Sequence, residues 1–516
     1  MPALERPAPV RRIGHACPRW FMLWRGRSNR DDFMTSRLFD SRTLQPLAAL
    51  ALLALPGALW GQTQLTTATS GASQFAAISA DGSRVVFQST ADLAGDGGNA
   101  DASNDVFSVD ADGGNLVQLS DTGQGAIRPS ISGDGGQVVF ASNADLTGDN
   151  ADGNVELFIA AGDGSGLTQL TDSTGPTGIQ QARIARDGSR VVFAAGGNLT
   201  GDNPDGSLEV FSVAATGGAP VQLSDGPSGS SSQFPAIAPD GSRAVFTSNT
   251  NPDASNPDGN SEIFIVDAAG GETPQQLTDT VTGQALRPSI SASGRIVFQS
   301  SGNPAGDNAD ANTELFAMAA DGSGLIQLTN STGGVTGFAR IAADSNLAVF
   351  QSSVDFTGSN SDNSSEIFLV DTDSASLSQL TDSAAASEQP DISGDGSRVV
   401  YQSAGNPSGD NPEGNLEIFA LDVDGDGIGG DDDDDVETKD NFVCTFAGSG
   451  CSYCEEDSDS NTDDATTGDD TNDDTNDSMD DSGTTESDTT ARIDPTLNLL
   501  AAVGVFGLIR RRRRRR

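Results

Sequence analysis

The stretch Asp81-Gly82-Ser83-Arg84-Val85-Val86-Phe87 returns along the chain as DGGQVVF ending at Phe140, DGSRVVF at Phe193 and DGSRAVF at Phe246. Degraded copies, SGRIVF and DSNLAVF, end at Phe298 and Phe350, and DGSRVVY ends at Tyr401. The seven aromatic positions are separated by 53, 53, 53, 52, 52 and 51 residues. Recurrence at a near-constant period defines a repeat architecture, and every local motif has to be read inside it.

Around that stretch each unit carries the same pieces. A segment such as Arg128-Pro129-Ser130-Ile131-Ser132 runs into an Asp-Gly turn and then a Val/Phe run. An Asp/Asn-rich loop follows, then a second apolar run, Glu156-Leu157-Phe158-Ile159-Ala160, and after another turn Leu167-Thr168-Gln169-Leu170-Thr171. Short β-branched and aromatic runs bounded by Gly, Asp and Asn predict strands joined by hairpins. No run has the length and 3.6-residue period of a helix. Four short antiparallel strands per unit and seven units predict an all-β, seven-bladed propeller, each blade burying its faces against its neighbours.

The ring's closure is also legible. QLT or QLS begins at 118, 169, 222, 276, 327 and 379, six times after a third strand. The seventh unit ends at Phe419-Ala420-Leu421-Asp422 without one, and the missing copy is Gln64-Leu65-Thr66 at the other end. The N-terminal strand is therefore expected to complete the last blade and cover an otherwise open edge. On these motifs, best seen in PAIAPDGSRAVFTS…EIFIVDAAGG…QQLTD (Pro235 to Asp279), the chain resembles the PD-type, WD-like repeat of TolB-like propellers over about residues 62–421. The resemblance implies fold far more than function. TolB itself carries a second, N-terminal α/β domain that nothing between Gln62 and the first blade here could form, so a role in the Tol machinery is not implied.

Outside the repeats, residues 1–33 are Arg-rich and read as a mis-called extension, with Met34 as the expected start. Residues 34–61 read as a secretory signal: Arg37 and Arg42 precede the apolar Leu44–Trp60, and Gly61 stands at the cleavage point. The chain is strongly acidic, net −46, with Lys439 the one lysine after the signal and ten arginines in the whole propeller. Such a surface excludes nucleic-acid binding, which needs clustered cations. The single histidine, His15, lies upstream of the signal, so Ser-His-Asp, Cys-His and His-metal chemistry are excluded from the exported protein.

Two constellations are candidates for function. The loops between second and third strands read GDNADGNVE (148–156), GDNPDGSLE (201–209) and close variants. Their oxygen-bearing side chains are what calcium needs, with Asp149, Asp152, Asn154 and Glu156 as one possible set. The same residue types serve equally as turn formers and polar surface. Stacking the repeats gives the second constellation. Six residues before each Asp-Gly turn stand Phe75, Arg128, Gln181, Phe234, Arg287, Phe338 and Gln389; four before stand Ala77, Ser130, Arg183, Ala236, Ser289, Arg340 and Asp391. Units 1–3 nearly match units 4–6, as if a three-blade block had been duplicated. Arg128, Arg183, Arg287 and Arg340, with Asp391, are thus expected to ring the channel mouth as an anion or carboxylate site. The competing expectation, preferred on the sequence, is that each arginine pairs with a loop Asp of its own or the next blade.

Beyond the propeller, residues 422–492 form an acidic linker of a composition that cannot bury a core. Its start, Asp422-Val423-Asp424-Gly425-Asp426, resembles a thrombospondin-type-3 or dockerin-like calcium loop. The match is partial, with Gly430 at the ninth position, and VDADGG (109–114) makes Asp422 and Asp424 equally repeat residues. Cys444, Cys451 and Cys454 favour a disulfide over a metal site in an exported chain, with an odd thiol left to pair between molecules. In 493–516, Ile493-Asp494-Pro495-Thr496 precedes the apolar Leu497–Ile509 and Arg510–Arg516. This resembles a bacterial C-terminal sorting signal, closest to the JDVT-CTERM type, which implies recognition in the membrane and processing by an intramembrane protease. A plain tail anchor is the alternative. The expected function is that of an exported, envelope- or surface-attached, non-catalytic propeller. It would bind a ligand or protein partner at its loop-rich face, with calcium as the one cofactor considered. Its rivals are a carboxylate-dependent hydrolase or lyase at the channel mouth and a purely architectural surface component.

Overall fold

The computed structural model describes residues 61–423 except 96, 98, 122, 174–177, 253 and 254. The expectations for the signal, Asp424, Asp426, Cys444, Cys451, Cys454, the linker and the motif Ile493-Asp494-Pro495-Thr496 lie outside the described residues. Within them, twenty-eight strands, β1 to β28, form seven four-stranded antiparallel sheets, and no helix is present. The first blade shows the plan: β2 (Ser73–Ile78) innermost, then β3 (Arg84–Ser89), β4 (Asp105–Asp110) and the short outer β5 (Val117–Gln118).

Strand propensity and turn chemistry agree throughout. At the β2–β3 hairpin Gly82 takes φ 69°, and the Asp81 carboxylate accepts from the Ser83 amide and both flanking seryl hydroxyls. That fixes the turn without any tertiary contact. The following VVF run is apolar rather than alternating because both faces of a blade are covered: Val85, Val86 and Phe87 are all fully buried. Each second-strand aromatic stacks on a third-strand Phe, as Phe87 on Phe107 at 5.7 Å and Phe193 on Phe211 at 5.7 Å. Burying one such ring contributes roughly 1.5–3 kcal/mol.

The apolar core is seven clusters, each shared by two adjacent blades. One joins Leu65, Ile78, Phe87 and Phe107 to Val400, Ile418 and Ala420, that is, the first blade to the last. Seven interfaces for seven blades means a closed ring. The closing strand is β1 (Gln62–Gln64), which pairs with β28 (Glu417–Asp422) as Gln62↔Leu421, Thr63↔Ala420 and Gln64↔Phe419. Gln64 faces Phe419 as Gln169 faces Phe158 in the second blade, so the N-terminal segment holds the register of a fourth strand. The strand begins two residues before the QLT copy, and pairing continues through the Leu65 amide to the Ile418 carbonyl. Tyr401 stands where the other blades have Phe, and its hydroxyl donates to the Gln62 side chain at 2.6 Å. This ties the closing strand across the sheet. Asp422, considered above for calcium, lies in β28 and ion-pairs with Arg398 at 2.5 Å, the place Asp110 takes opposite Arg84.

Candidate functional site

The innermost strand of every blade breaks register once. In the first blade Gln74 faces Gln88, but the next pair is Ala77 with Val86, a bulge that sets two residues against one. The bulge residue takes positive φ in all seven blades: Phe75 (56°), Arg128 (52°), Gln181 (58°), Phe234 (53°), Arg287 (55°), Phe338 (56°) and Gln389 (53°). A left-handed conformation costs an L-residue roughly 1–2 kcal/mol, and glycine at these places would avoid it. The strain is held by side chains of the preceding blade: the Arg128 amide donates to Gln88 at 2.9 Å, Phe75 to Gln402 at 3.0 Å and Arg287 to Thr247 at 3.1 Å. All seven bulge side chains line the central channel. Repeated strain at a cavity wall points to what the side chains do there.

These residues and those two positions further on surround a cavity of about 260 Å³. Arg128 stacks on the Phe75 ring at 4.8 Å. Arg287 lies between two rings, 4.2 Å from Phe234 and 4.2 Å from Phe338. Stacking occupies the guanidinium faces and leaves the in-plane N–H groups for a partner. In the second layer the Arg183 and Arg340 side chains hydrogen-bond, among the described residues, only to the carbonyls of Ala182 (3.4 Å) and Ala339 (3.1 Å). Asp391 accepts from the Ile78 amide at 3.1 Å, linking the last blade to the first. Both arginines are enclosed by protein yet keep accessible surface into the channel. Burial first, then repulsion from Arg340, pushes Arg183 down to about 9 against the pull of Asp391; burial lowers Arg287 to about 10.

The preferred sequence expectation, an Asp partner for each channel arginine, does not hold. The ion pairs among the described residues are Arg84–Asp110, Arg243–Glu272, Arg295–Asp373 and Arg398–Asp422. The channel arginines are in none of them. The reason is that the loops tie up their own polar groups. Asn99, Asn150, Asn203, Asn256, Asn308, Asn360 and Asn411 are buried in the seven loops, and each donates from Nδ2 to the carbonyl four residues on. Asp145 accepts from the Asn150 amide at 3.0 Å. A residue missed by the sequence reading is Arg186, which crosses from the third blade to the carbonyls of Ile78 (2.6 Å) and Ile392 (3.3 Å). It bolts the channel at the Asp-Gly-turn end. Only its place one residue before a turn Asp marked it in the sequence.

The calcium set is likewise not brought together. Asp149 and Asp152 are exposed, Asn154 donates to the Ser173 carbonyl at 2.6 Å, and Glu156 is fully buried. Glu156 accepts from the hydroxyls of Thr171 and Ser173 and the Ser173 amide. Among the described residues no three His, Cys, Asp or Glu side chains are placed to hold a metal. The acid that begins each third strand instead locks the outer strand. It accepts from the Thr or Ser of QLT/QLS in every blade, including Thr66 to Glu417 across the closure.

That ring of buried acids sets a pH dependence. Burial first, with Asp101 and Asp121 adding repulsion, raises Asp105 from 3.8 to about 7. Burial likewise raises Glu156, Glu209, Glu262, Glu366 and Glu417. Between the unfolded and folded values the native state holds protons that the unfolded chain has released, so stability falls as pH rises through that window. Turn acids work the other way: hydroxyl and amide donors hold Asp134 and Asp240 below the usual range, so their contribution is lost in stronger acid. The melting temperature is expected to be higher at mildly acidic pH than at pH 8. Asp105→Asn, followed by calorimetry across that range, should flatten part of the slope; an unchanged slope would remove Asp105 from the account.

The arrangement defines a class: a closed seven-bladed β-propeller with an arginine- and phenylalanine-lined axial cavity. No protein-family model matches the chain, and no curated protein is similar to it. Solved structures are. An oligogalacturonate lyase from Vibrio parahaemolyticus superposes with TM-score 0.50 at 13% identity, over 70% of this chain and 94% of that one. The β-propeller domain of the trilobed protease from Pyrococcus furiosus, described as having an open velcro topology, gives 0.46 at 12%, over 69% and 95%. A putative TolB from Agrobacterium tumefaciens gives 0.37 at 17%, over 60% and 94%. At these identities the likeness is one of fold.

Proposed function

We propose that this is an exported, membrane-attached, non-catalytic propeller whose axial channel binds a carboxylate or similar anion from the loop-rich face. The observation that carries the reading is where the cations are. Five of the propeller's ten arginines (128, 183, 186, 287 and 340) line one cavity, and Asp391 is the one acid among its described lining residues. In a chain of net charge −46, that concentration of positive charge supplies the donors an anion needs in a site shielded from water. Hydrolysis by a carboxylate pair needs two acids flanking the substrate. Here one carboxylate stands among five guanidinium groups, which favours binding over that chemistry.

An anion that binds only the native state raises the melting temperature in proportion to the logarithm of its concentration. Acetate and succinate are expected to do so for the purified protein at ionic strength matched with chloride, and Arg340→Gln should weaken the response. No carboxylate-specific rise, or an undiminished one in Arg340→Gln, would overturn the reading.

A further inference from the structure

The channel cations are not spread evenly. Apart from Arg186, they fall into two pairs from adjacent blades: Arg128 with Arg183 on the second and third, Arg287 with Arg340 on the fifth and sixth. The pairs match position for position, since Phe75 precedes Arg128 as Phe234 precedes Arg287. Each upper arginine stacks on that preceding phenylalanine, at 4.8 and 4.2 Å. Below them Ser130 and Ser289 each take the amide of the next blade's isoleucine, Ile184 or Ile341, at 3.3 Å. Three blades apart in a ring of seven, the two pairs stand on nearly opposite sides of one cavity.

Resting on the anion-binding reading above, we propose that the channel holds a small dicarboxylate, one carboxylate in each arginine pair. Each pair offers guanidinium edges from two heights of the wall, which suits bidentate capture of a planar carboxylate. A single-headed anion leaves the opposite pair without a partner. The cavity, about 260 Å³, lies below the roughly 300–1,000 Å³ typical of sites for drug-sized ligands, so the bridging chain is short. At the far end Arg186 reaches across to the carbonyls of Ile78 and Ile392. Asp391, from the unmatched seventh blade, breaks the pseudo-symmetry beside Arg183 and Arg340.

The test is isothermal titration of the purified protein with malonate, succinate, glutarate and adipate. Propionate, butyrate and sulfate serve as single-headed comparisons at constant ionic strength. One dicarboxylate length is expected to bind about tenfold or more tighter than any single-headed anion, as a second charge-assisted pair requires. Arg183→Gln and Arg340→Gln, on opposite sides, should each bring it down to the single-headed value. Equal affinity for single- and two-headed anions, sulfate included, overturns this inference and leaves the anion site standing. Retention of the preference in both variants overturns the assignment of the heads. Failure of every carboxylate to bind overturns this inference and the anion-binding reading together.

Discussion

Deleting Gln62–Thr66 is expected to lower the melting temperature by about 5–8 °C, because it reopens the ring at one seam. The segment supplies the outer strand of the last blade, and Leu65 packs into the cluster between the last and first blades. Losing one buried leucine and leaving Glu417 without the Thr66 hydroxyl and the Gln62 anchor of Tyr401 unmade together cost about 5 kcal/mol. With roughly 2.1 cal/mol/K of unfolding entropy per residue, a kilocalorie shifts a propeller of this length by about 1–1.5 °C. Thr66→Val keeps the strand, takes the hydroxyl from Glu417 and leaves the Ile418 amide without its acceptor, so it should fall in the same direction by less. Calorimetry of the purified protein decides it. A melting temperature unmoved by the deletion would show that the seam carries no stability.

The architecture was readable because it is periodic. Spacing of the aromatics fixed the number of blades, and the absent seventh QLT pointed to Gln64–Thr66 as the closing strand. Stacking the repeats also placed Arg128, Arg183, Arg287, Arg340 and Asp391 on one channel, since positions equivalent in sequence are equivalent around the axis. Less could be read where residue type does not determine partner. Phe75, Arg128 and Gln389 share positive φ without a glycine to announce it, because the strain is held by Gln402, Gln88 and Gln351 in the preceding blades. The loop Asp and Asn looked equally like calcium ligands, turn formers or partners for the arginines. Which role each takes depends on backbone groups four to six residues away, as Asn150 shows by binding the carbonyls of Ala144 and Asn154. Glu156 and Thr171 were each conspicuous, but that one binds the other is a fact of the folded sheet.

The second large effect concerns the cavity itself. Arg183 is enclosed with no carboxylate hydrogen-bonded to it, so it destabilises the ligand-free fold and is tolerated for what it binds. Burial and the neighbouring Arg340 push its guanidinium down to about 9, which is the sign of a cation that the native state holds at a cost. Replacing an uncompensated buried charge with an apolar side chain of similar volume is a stabilising change. Arg340 stays beside Asp391 in the single variant, so that acid is not stranded. The direct measurement is the melting temperature of Arg183→Met against the unaltered protein, in carboxylate-free buffer and then with succinate. The variant is expected to melt several degrees higher without ligand and to respond to succinate more weakly than the unaltered protein. A variant that melts lower without ligand and gains as much stability from succinate as the unaltered protein would contradict this.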